Sequence, residues 1–440
     1  MTQRDRAVAL LLLASLNAFG FIDRVVVALV AEKIKAEFLV SDFQIGLLGG
    51  TAFAVVNALA SVPVARMAEN YRRSTISAAF LLIGSAFTAF MALTVNFTQL
   101  LAARLGMAVG SAATEAPPHS MISDMYPPEK RASAISIFML GVPVASLLGS
   151  FLGGAIAENY DWRSTFLFFG VAGGMISLLC FLFLKEPQRA TATIEVSSGA
   201  KPSAWQVFTG MMGSSTIRFL LVGVTCISLG SFGVNTFLPA FFSRSYGLDA
   251  GQAGLVFGTI SGIASLVGTL LGGFASEHFA RRDQRWLLGF PALGSVIGAP
   301  LFVIGLMSGN LAIAIPVMLV GSFFFYTAMG PAIATLHGNL NSWSRATGSA
   351  IFLLIVHLVG QGVGPPLVGT VSDTASSMIY GGNFATQCAG AAGQVPGSAC
   401  AAASAGGLQM AIATFAGFFA FGGLALYLAA RARHRAETAA

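Results

Sequence analysis

Charge is the scarcest property of this sequence. Asp, Glu, Lys and Arg make up only 10% of the 440 residues, whereas 55% are hydrophobic and the mean hydropathy is +0.77. A soluble domain carries about 25% charged residues. A soluble core could not bury this much apolar surface, so we exclude a soluble globular protein and expect lipid to surround most of the chain.

Several motifs that carry chemistry are also missing. The chain has no Gly-Lys pair, hence no Gly-x4-Gly-Lys-Ser/Thr phosphate loop, which excludes a pump that hydrolyses ATP by itself. It has no Gly-x-Ser-x-Gly elbow, and its four cysteines lack the spacing of a metal site. We therefore predict no enzyme activity and no metal or cofactor site. The net charge of +6 lies in short basic clusters between apolar stretches, which argues against a nucleic-acid partner.

Long apolar stretches occupy most of the chain. A window of about 19–20 residues, the length that crosses a bilayer, predicts twelve spans: 7–30, 43–68, 74–94, 97–124, 131–157, 163–184, 216–243, 250–277, 285–307, 311–337, 346–372 and 408–430. The first apolar stretch continues past Asp23 and Arg24, so we expect a retained membrane helix instead of a cleaved signal peptide.

A polar stretch from Lys185 to Ser203 separates six predicted spans from the other six. The segment from Trp205 to Met212 could form a short amphipathic helix at the membrane surface. We predict an all-α membrane protein with two pseudo-symmetric six-helix bundles, at residues 1–186 and 215–440. Residues 187–214 form a cytosolic linker between them.

The basic residues predict the orientation. Of the 24 Lys and Arg, 18 fall on the side of the two termini and two lie within spans. The other side has only Lys33, Lys35, Arg163 and Arg244. Because basic loops stay in the cytosol, we expect both termini inside, in a bacterial-type inner membrane. Cys388 and Cys400 then flank an outside loop, where oxidising conditions would permit a disulfide that the sequence alone leaves open.

The two halves repeat each other. At an offset of 208, the second span aligns with the eighth, and at 214 the fifth aligns with the eleventh. The matched residues are Gly46-Leu47 with Gly254-Leu255, Glu69 with Glu277, Arg73 with Arg281, and Arg131-Ala132-Ser133 with Arg345-Ala346-Thr347. Charged residues in register at the same helix ends indicate a parallel repeat with a substrate site between the halves.

These features together resemble the major facilitator superfamily. Its loop motif, Gly-x-x-x-Asp/Glu-Arg-x-Gly followed by basic residues, is similar to Gly273-x-x-x-Glu277-His278-x-Ala280-Arg281-Arg282 and, more distantly, to the segment from Ala65 to Arg73. The resemblance implies twelve membrane helices, a monomer, and alternating access by a rocker-switch motion.

Three stretches are similar to the Spinster-type branch of that superfamily. They are Asn17-x5-Asp23-Arg24, the run from Pro117 to Glu129, and the Gly- and Pro-rich run from Gly360 to Asp373. The branch usually has a Glu in a Gly-x-Gly-Glu-Ala stretch of the fourth helix. Here that place is Gly110-Ser111-Ala112, and the carboxylate Glu115 follows about one helical turn later.

Four charged residues fall well inside predicted spans: Asp23, Arg24, Arg104 and Glu115. Each costs at least ~2.5 kcal/mol at membrane depth, so such residues persist mainly where they act. We predict that Asp23 and Glu115 exchange protons, while Arg24 or Arg104 attracts an anionic group. Arg104 and Glu115 are close to three turns apart, on one face with Ser111 between them. The alternative is a static buried ion pair that fixes helix packing.

Other polar residues in the spans are candidates for substrate contact or for hydrogen bonds between helices. They are His119, Asn57, Asn235, His357 and Gln361. His119 is a candidate proton relay or a structural histidine, and the adjacent Pro117 and Pro118 should kink the helix.

Charged residues at predicted cytosolic helix ends form a third group. We interpret them as a gate that closes the inside; the alternative is orientation signalling by solvated loops. The group comprises Glu69, Arg72, Arg73, Asp124, Arg131, Glu277 and Arg281.

The predicted function is proton-linked transport of an amphipathic, lipid-like or anionic small molecule through lipid, driven by the proton gradient. Three alternatives remain. One is an organic-acid/proton symporter of the anion–cation type, which also has a first-helix Asp-Arg, and another is a proton-independent uniporter. The third is a drug antiporter, although the fifth span has Gly149, Gly153 and Gly154 without the Gly-Pro pair of the usual antiporter signature. The sequence leaves open the substrate, the direction and the stoichiometry.

Overall fold

The computed structural model describes residues 2–188, 203–341, 344–382, 384–388 and 397–439. All regular structure in these ranges is helical. The helices of the N-terminal half are α1 (Gln3–Phe38), α2 (Asp42–Gly46), α3 (Ala52–Asn70), α4 (Arg73–Met91), α5 (Phe97–Ser111), α6 (Ala116–Met125), α7 (Pro128–Met139), α8 (Gly141–Asn159) and α9 (Trp162–Phe183). A short helix, α10 (Ala204–Gly213), follows before the second half.

The C-terminal half repeats this pattern. Its helices are α11 (Ser215–Tyr246), α12 (Ala250–Phe257), α13 (Ala264–Ala280), α14 (Trp286–Met307), α15 (Leu311–Phe325), α16 (Met329–Gly338), α17 (Arg345–Tyr380), α18 (Phe384–Gln387) and α19 (Ala399–Ala439). We call the end of the bundle at which α1 begins and α19 ends the terminal face, and the other end the loop face. Cys388 and Cys400 form a disulfide at the loop face, which answers the question that the sequence left open.

Two of the helices pass through a π-helical turn. The turn π1 (Leu47–Thr51) joins α2 to α3, and π2 (Gly258–Ile263) joins α12 to α13. The chain continues as a helix on both sides of each turn, so α2–π1–α3 and α12–π2–α13 are each one membrane-length element.

Eleven helical segments among the described residues are long and apolar enough to cross a membrane. Eleven predicted spans therefore match, and the count of twelve is not confirmed. The fourth predicted span, 97–124, is divided into α5 and α6 by a turn at residues 112–115. Pro117 and Pro118 lie in the first turn of α6, and because proline has no N–H they interrupt the helical hydrogen bonds at this point.

Small residues set how closely the helices pack. An added Cβ at Gly110 of α5 would overlap the backbone of Gly84 in α4. Between the two halves, a Cβ on Gly154 of α8 would lie 2.7 Å from the carbonyl oxygen of Ala250 in α12. Because lipid gives helices no hydrophobic drive to associate, such close backbone contact is a main source of packing energy in membrane proteins.

The halves meet mainly near the loop face. There α2 and π1 pack against α17, α12 and π2 pack against α8, and α1 packs against α11. The elements of this interface come from equivalent positions of the repeat, as expected for two related bundles.

The contact between α4 and α5 predicts an asymmetric response to alanine. Gly110→Ala should lower the melting temperature of the purified protein by on the order of 5 °C, since an overpacked contact typically costs about 1–3 kcal/mol. Gly417→Ala in α19 is the matched control, because its added Cβ meets nothing within 4 Å. Equal melting temperatures for both variants would contradict the packing described here.

Candidate functional site

Asp23 lies on α1 inside the N-terminal half and is 7% exposed. Its carboxylate accepts a hydrogen bond of 3.0 Å from Thr88 Oγ1 on α4. Among the described residues no ion pair joins Asp23 to Arg24 or Arg104, so the static buried ion pair considered above is not the observed arrangement. A cavity of about 10 Å³, roughly the space of one water, borders Asp23 and Ser111.

Arg104 on α5 is fully buried, and backbone carbonyls take the place of a carboxylate partner. Its Nε donates to the carbonyl oxygen of Leu48 in π1, and its Nη1 to the carbonyl oxygen of Asp23, both at 3.2 Å. Its Nη2 has no hydrogen-bond partner in the described part of the chain. The side chain therefore ties three elements together, α5, π1 and α1.

Arg24 points away from Asp23, as expected for neighbours about 100° apart on a helix. Its guanidinium lies over the ring of Phe21 at 4.8 Å and over that of Phe53 at 4.3 Å. Cations are attracted to aromatic faces at such distances. The Nε of Arg24 is buried and has no acceptor among the described residues.

Glu115 lies in the turn between α5 and α6 and is exposed. The interpretation that Arg104 and Glu115 share a helical face is wrong, because the helix that would carry both is interrupted at residues 112–115. Glu115 nevertheless lies close enough to Arg24 for their opposite charges to attract. His119 Nδ1 donates to the Glu115 carbonyl at 2.8 Å, so this ring nitrogen is held by the backbone.

Two of the predicted polar residues pair within the N-terminal half. Asn57 Nδ2 donates to Ser111 Oγ at 2.9 Å and to the carbonyl oxygen of Ala108 at 3.2 Å. These bonds link α3 to α5 just beside the break of the fourth predicted span.

The C-terminal half contributes two of the predicted polar residues, His357 and Gln361, both on α17. His357 faces the ring of Phe232, with 6.2 Å between ring centroids. It also interacts electrostatically with Glu115 and Arg24. Gln361, one turn further along α17, is buried. The structure thus brings Arg24 and Glu115 of one half together with His357 of the other.

Asn235 belongs to a separate hydrogen-bonded cluster. Its Nδ2 donates to Tyr326 Oη at 3.0 Å and to Ser231 Oγ at 3.2 Å, and its Oδ1 accepts from Ser261 Oγ at 2.7 Å. The cluster joins α11, π2 and the end of α15 without a charge.

An ionic network at the loop face was not identified from the sequence. Arg244 of α11 pairs with Glu32 at 2.6 Å and with Asp42 at 2.7 Å, across the boundary between the halves. Lys35 also pairs with Asp42, at 2.6 Å. The carboxylate of Asp373 accepts hydrogen bonds from the backbone N–H groups of Asp42 and Phe43, at 3.1 and 2.9 Å.

One signal could have revealed this network. Arg244 is one of only four basic residues outside the spans on the side that the orientation rule leaves poor in positive charge. A basic residue on this side indicates an acidic partner nearby.

The terminal face of the N-terminal half carries a second ionic cluster. Arg73 is buried and donates to Asp124 at 2.6 Å, to Glu186 at 2.9 Å and to Ser120 Oγ at 2.8 Å. Burial by itself raises the pKa of Glu186, but hydrogen bonds from the Ser74 N–H and from Arg73 hold it below its usual value.

The other residues of the predicted gate are placed differently. Arg72 is exposed beside a groove near Glu186, and Arg131 donates to the carbonyl oxygen of Ser123 at 2.8 Å. Glu277 and Arg281 are both exposed and are 3.9 Å apart on one helix. The side chain of Glu69 lies outside the described residues. Arg73 and Arg281 match in sequence, yet only Arg73 is buried in an ionic cluster.

No group of three or more His, Cys, Asp or Glu side chains that could hold a metal ion occurs among the described residues.

Comparison with known proteins places these features in a family. The family model of the Major Facilitator Superfamily matches residues 10–365. An MFS-type efflux pump of Mycolicibacterium smegmatis is 26% identical over 362 residues, which cover 82% of this chain and 83% of the pump. The sphingosine-1-phosphate transporter SPNS2 of Xenopus tropicalis is 23% identical over 375 residues, covering 81% of this chain and 72% of the transporter.

A solved structure is similar over nearly the whole chain. It is a bacterial homolog of the human lysosomal transporter Spinster, in an inward-facing and unoccupied conformation. The TM-score is 0.85 with 28% sequence identity, and 98% of each chain is covered. These findings confirm the resemblance to the superfamily and to its Spinster-type branch.

The loop-face network predicts a measurable separation of the halves. Arg244→Gln should weaken their contact by about 3 kcal/mol, because it removes a buried partner of Asp42 and Glu32. Spin labels on cysteines at Tyr160 and Met378, which are 78% and 75% exposed, report the distance between the halves at this face. The free cysteines Cys180 and Cys226 are replaced by alanine in all variants.

Arg163→Gln is the control, since Arg163 pairs with Glu37 inside one half and is partly exposed. We expect a new population at longer distance in Arg244→Gln and an unchanged distribution in Arg163→Gln. A distribution that is unchanged in both variants would show that the network does not hold the halves together.

Proposed function

Because this chain belongs to the Major Facilitator Superfamily, in which it is Spinster-like, we propose that it is a proton-linked transporter of amphipathic anions. The chain is a multi-pass membrane protein, and its relatives are named as transporters or efflux pumps. In this proposal it works as a monomer by rocker-switch alternating access, in an inner membrane with both termini in the cytosol.

The buried carboxylate of Asp23 is the observation that carries the proton linkage. An ionised carboxylate at membrane depth is costly unless it is paired. Thr88 donates one hydrogen bond to it, and Arg104 attracts it only through space, because Nε and Nη1 of Arg104 donate to backbone carbonyls. Asp23 is therefore suited to take up a proton in one conformation and to lose it when water reaches it in the other.

Arg24 and its aromatic neighbours support the choice of substrate. The Nε of Arg24, which has no acceptor among the described residues, can donate to a phosphate or carboxylate oxygen, while the rings of Phe21 and Phe53 offer apolar contact beside it. The SPNS2 relative is named as a transporter of an amphipathic anion, sphingosine-1-phosphate. Glu115 and His357, close to Arg24, are then placed to sense whether its charge is neutralised.

The contacts between the halves support alternating access. They concentrate at the loop face, where the bonds of Arg244 and Asp373 with the other half can be broken and remade. On the terminal face, the Arg73 cluster joins elements of the N-terminal half only. We propose that this cluster shapes the N-terminal side of the passage between the two halves, at the terminal face.

Two alternatives lead to different measurements. An organic-acid/proton symporter would prefer a compact aromatic acid, while a uniporter would ignore the pH gradient. The aromatic surface around Arg24 favours a substrate with an apolar chain over a compact acid.

Transport into vesicles tests the proposal directly. Lysolipids, sphingoid phosphates and aromatic acids are offered with and without a pH gradient. We expect Asp23→Asn to reduce gradient-driven transport at least about tenfold, because it removes the site of the transported proton. Glu115→Gln should alter the pH dependence, and Arg24→Gln should raise the substrate concentration at half-maximal rate.

Asp283→Asn serves as the control, because Asp283 is an exposed loop residue whose carboxylate bonds only locally to Arg285, at 2.9 Å to its backbone N–H and 3.9 Å to its Nε. An asparagine Oδ1 can keep the backbone bond. Its transport should equal that of the wild type. If Asp23→Asn retains full gradient-driven transport, the proposed proton linkage is wrong. If wild-type transport ignores the gradient, uniport replaces it.

A further inference from the structure

The two π-helical turns lie at equivalent positions of the repeat. π1 begins at Leu47 and π2 at Gly258, so their starts differ by 211 residues, close to the offset of 208 that aligns the second span with the eighth. π-helical turns are rare and occur mostly at functional sites. Two of them at the same place in both halves call for a common role.

Each π turn is linked to the first and fourth spans of its own half through one side chain that bonds to both the turn and the other span. In the N-terminal half the tie is Arg104 of α5, which holds the Leu48 carbonyl of π1 and the Asp23 carbonyl of α1. A helical backbone carbonyl that accepts from a distant side chain marks a place where the regular hydrogen-bond ladder is altered.

In the C-terminal half a neutral cluster makes the same three-way connection. Ser261 of π2 donates to Asn235 of α11, which in turn donates to Tyr326 at the end of α15. No residue in this tie matches Arg104 in the sequence alignment of the halves, so the connection is conserved in geometry but made by different chemistry.

Each π turn also touches the opposite half. An added Cβ at Gly50 of π1 would collide with the Gln361 carbonyl of α17, and Thr51 Oγ1 donates to the Gly362 carbonyl. An added Cβ at Gly258 of π2 would lie 3.0 Å from the Cβ of Ser150 in α8. Both turns thus form part of the boundary across which the halves meet.

We propose that π1 and π2 are the paired pivots on which the halves rock, and that Arg104 and Tyr326 are positioning residues that fix them. The inference rests on the alternating access proposed above. It assigns Arg104 a mechanical role in place of anion binding. The N-terminal pivot is tied to the backbone of Asp23, whereas the C-terminal pivot is tied only to neutral groups.

Hydrogen exchange of the purified full-length protein tests the two ties separately. Tyr326→Phe should speed amide exchange in residues 258–263 about fivefold and leave residues 47–51 unchanged, because it removes one hydrogen bond of the C-terminal tie. Arg104→Gln should speed exchange in residues 47–51 and leave residues 258–263 unchanged. Ser261→Ala removes another hydrogen bond of the C-terminal tie, so it should reproduce the effect of Tyr326→Phe if that variant folds poorly. Thr335→Val is the matched control, since it removes a buried hydroxyl that bonds only to its own helix.

The pivot itself is tested with the spin-label pair at Tyr160 and Met378. Both tie variants should broaden the distance distribution between the halves, and Thr335→Val should not. Exchange that rises equally in both π turns, or in neither, would overturn the assignment of the ties. A distance distribution that stays unchanged while exchange rises would overturn the role as pivots. Neither readout uses substrate or a pH gradient, so each outcome is independent of whether the proposed transport is correct.

Discussion

A guanidinium buried at membrane depth must find acceptors, and the way Arg104 does so determines the arrangement of the N-terminal half. Backbone carbonyls of α1 and π1 accept from it, and Phe53 lies beside it at 5.4 Å. Only Nε and Nη1 of Arg104 donate to these carbonyls, and no ion pair joins the carboxylate of Asp23 to a basic side chain among the described residues. Arg104 and Arg24 still attract the ionised carboxylate through space, so the cost of burying its charge is offset only in part.

In the C-terminal half, uncharged side chains link the π turn to the first and fourth spans. Asn235, Ser261 and Tyr326 link the equivalent elements, and Ser231 stands at the position that the offset of 208 pairs with Asp23. The two bundles therefore have the same geometry and unequal chemistry. This division extends to the ionic clusters, since Arg73 is buried among carboxylates while its sequence counterpart Arg281 is exposed. In the proposed mechanism, the elements common to both halves carry the motion and the residues that differ carry the coupling.

Much of this arrangement could be predicted from the sequence. Hydropathy gave the membrane class and eleven of the spans, and the adjacency of Asp23 and Arg24 predicted that they point apart. Pro117 and Pro118 predicted a disturbed helix. The helical periodicity of 3.6 residues could not predict how far that break extends. The break at residues 112–115 moves Glu115 off the face that Arg104 occupies. Only a regular helix allows such extrapolation.

Ion pairs between residues far apart in the sequence could not be predicted either. Arg244 and Asp42 are 202 residues apart, and no local pattern joins them. The π turns were equally hidden. One additional residue rotates the following side chains by about 100°, but spans that are apolar on most faces have no stripe in which this shift would show. Both features depend on how the two halves meet, which a single sequence does not contain.

The proposed transport depends on Asp23 gaining and losing a proton in the folded protein. Infrared difference spectroscopy of the reconstituted protein measures this without any substrate, through the stretching band of a protonated carboxyl group. We expect a band whose intensity changes with pH in the wild type and that is absent in Asp23→Asn. Identical pH-dependent spectra for the wild type and Asp23→Asn would contradict the claim.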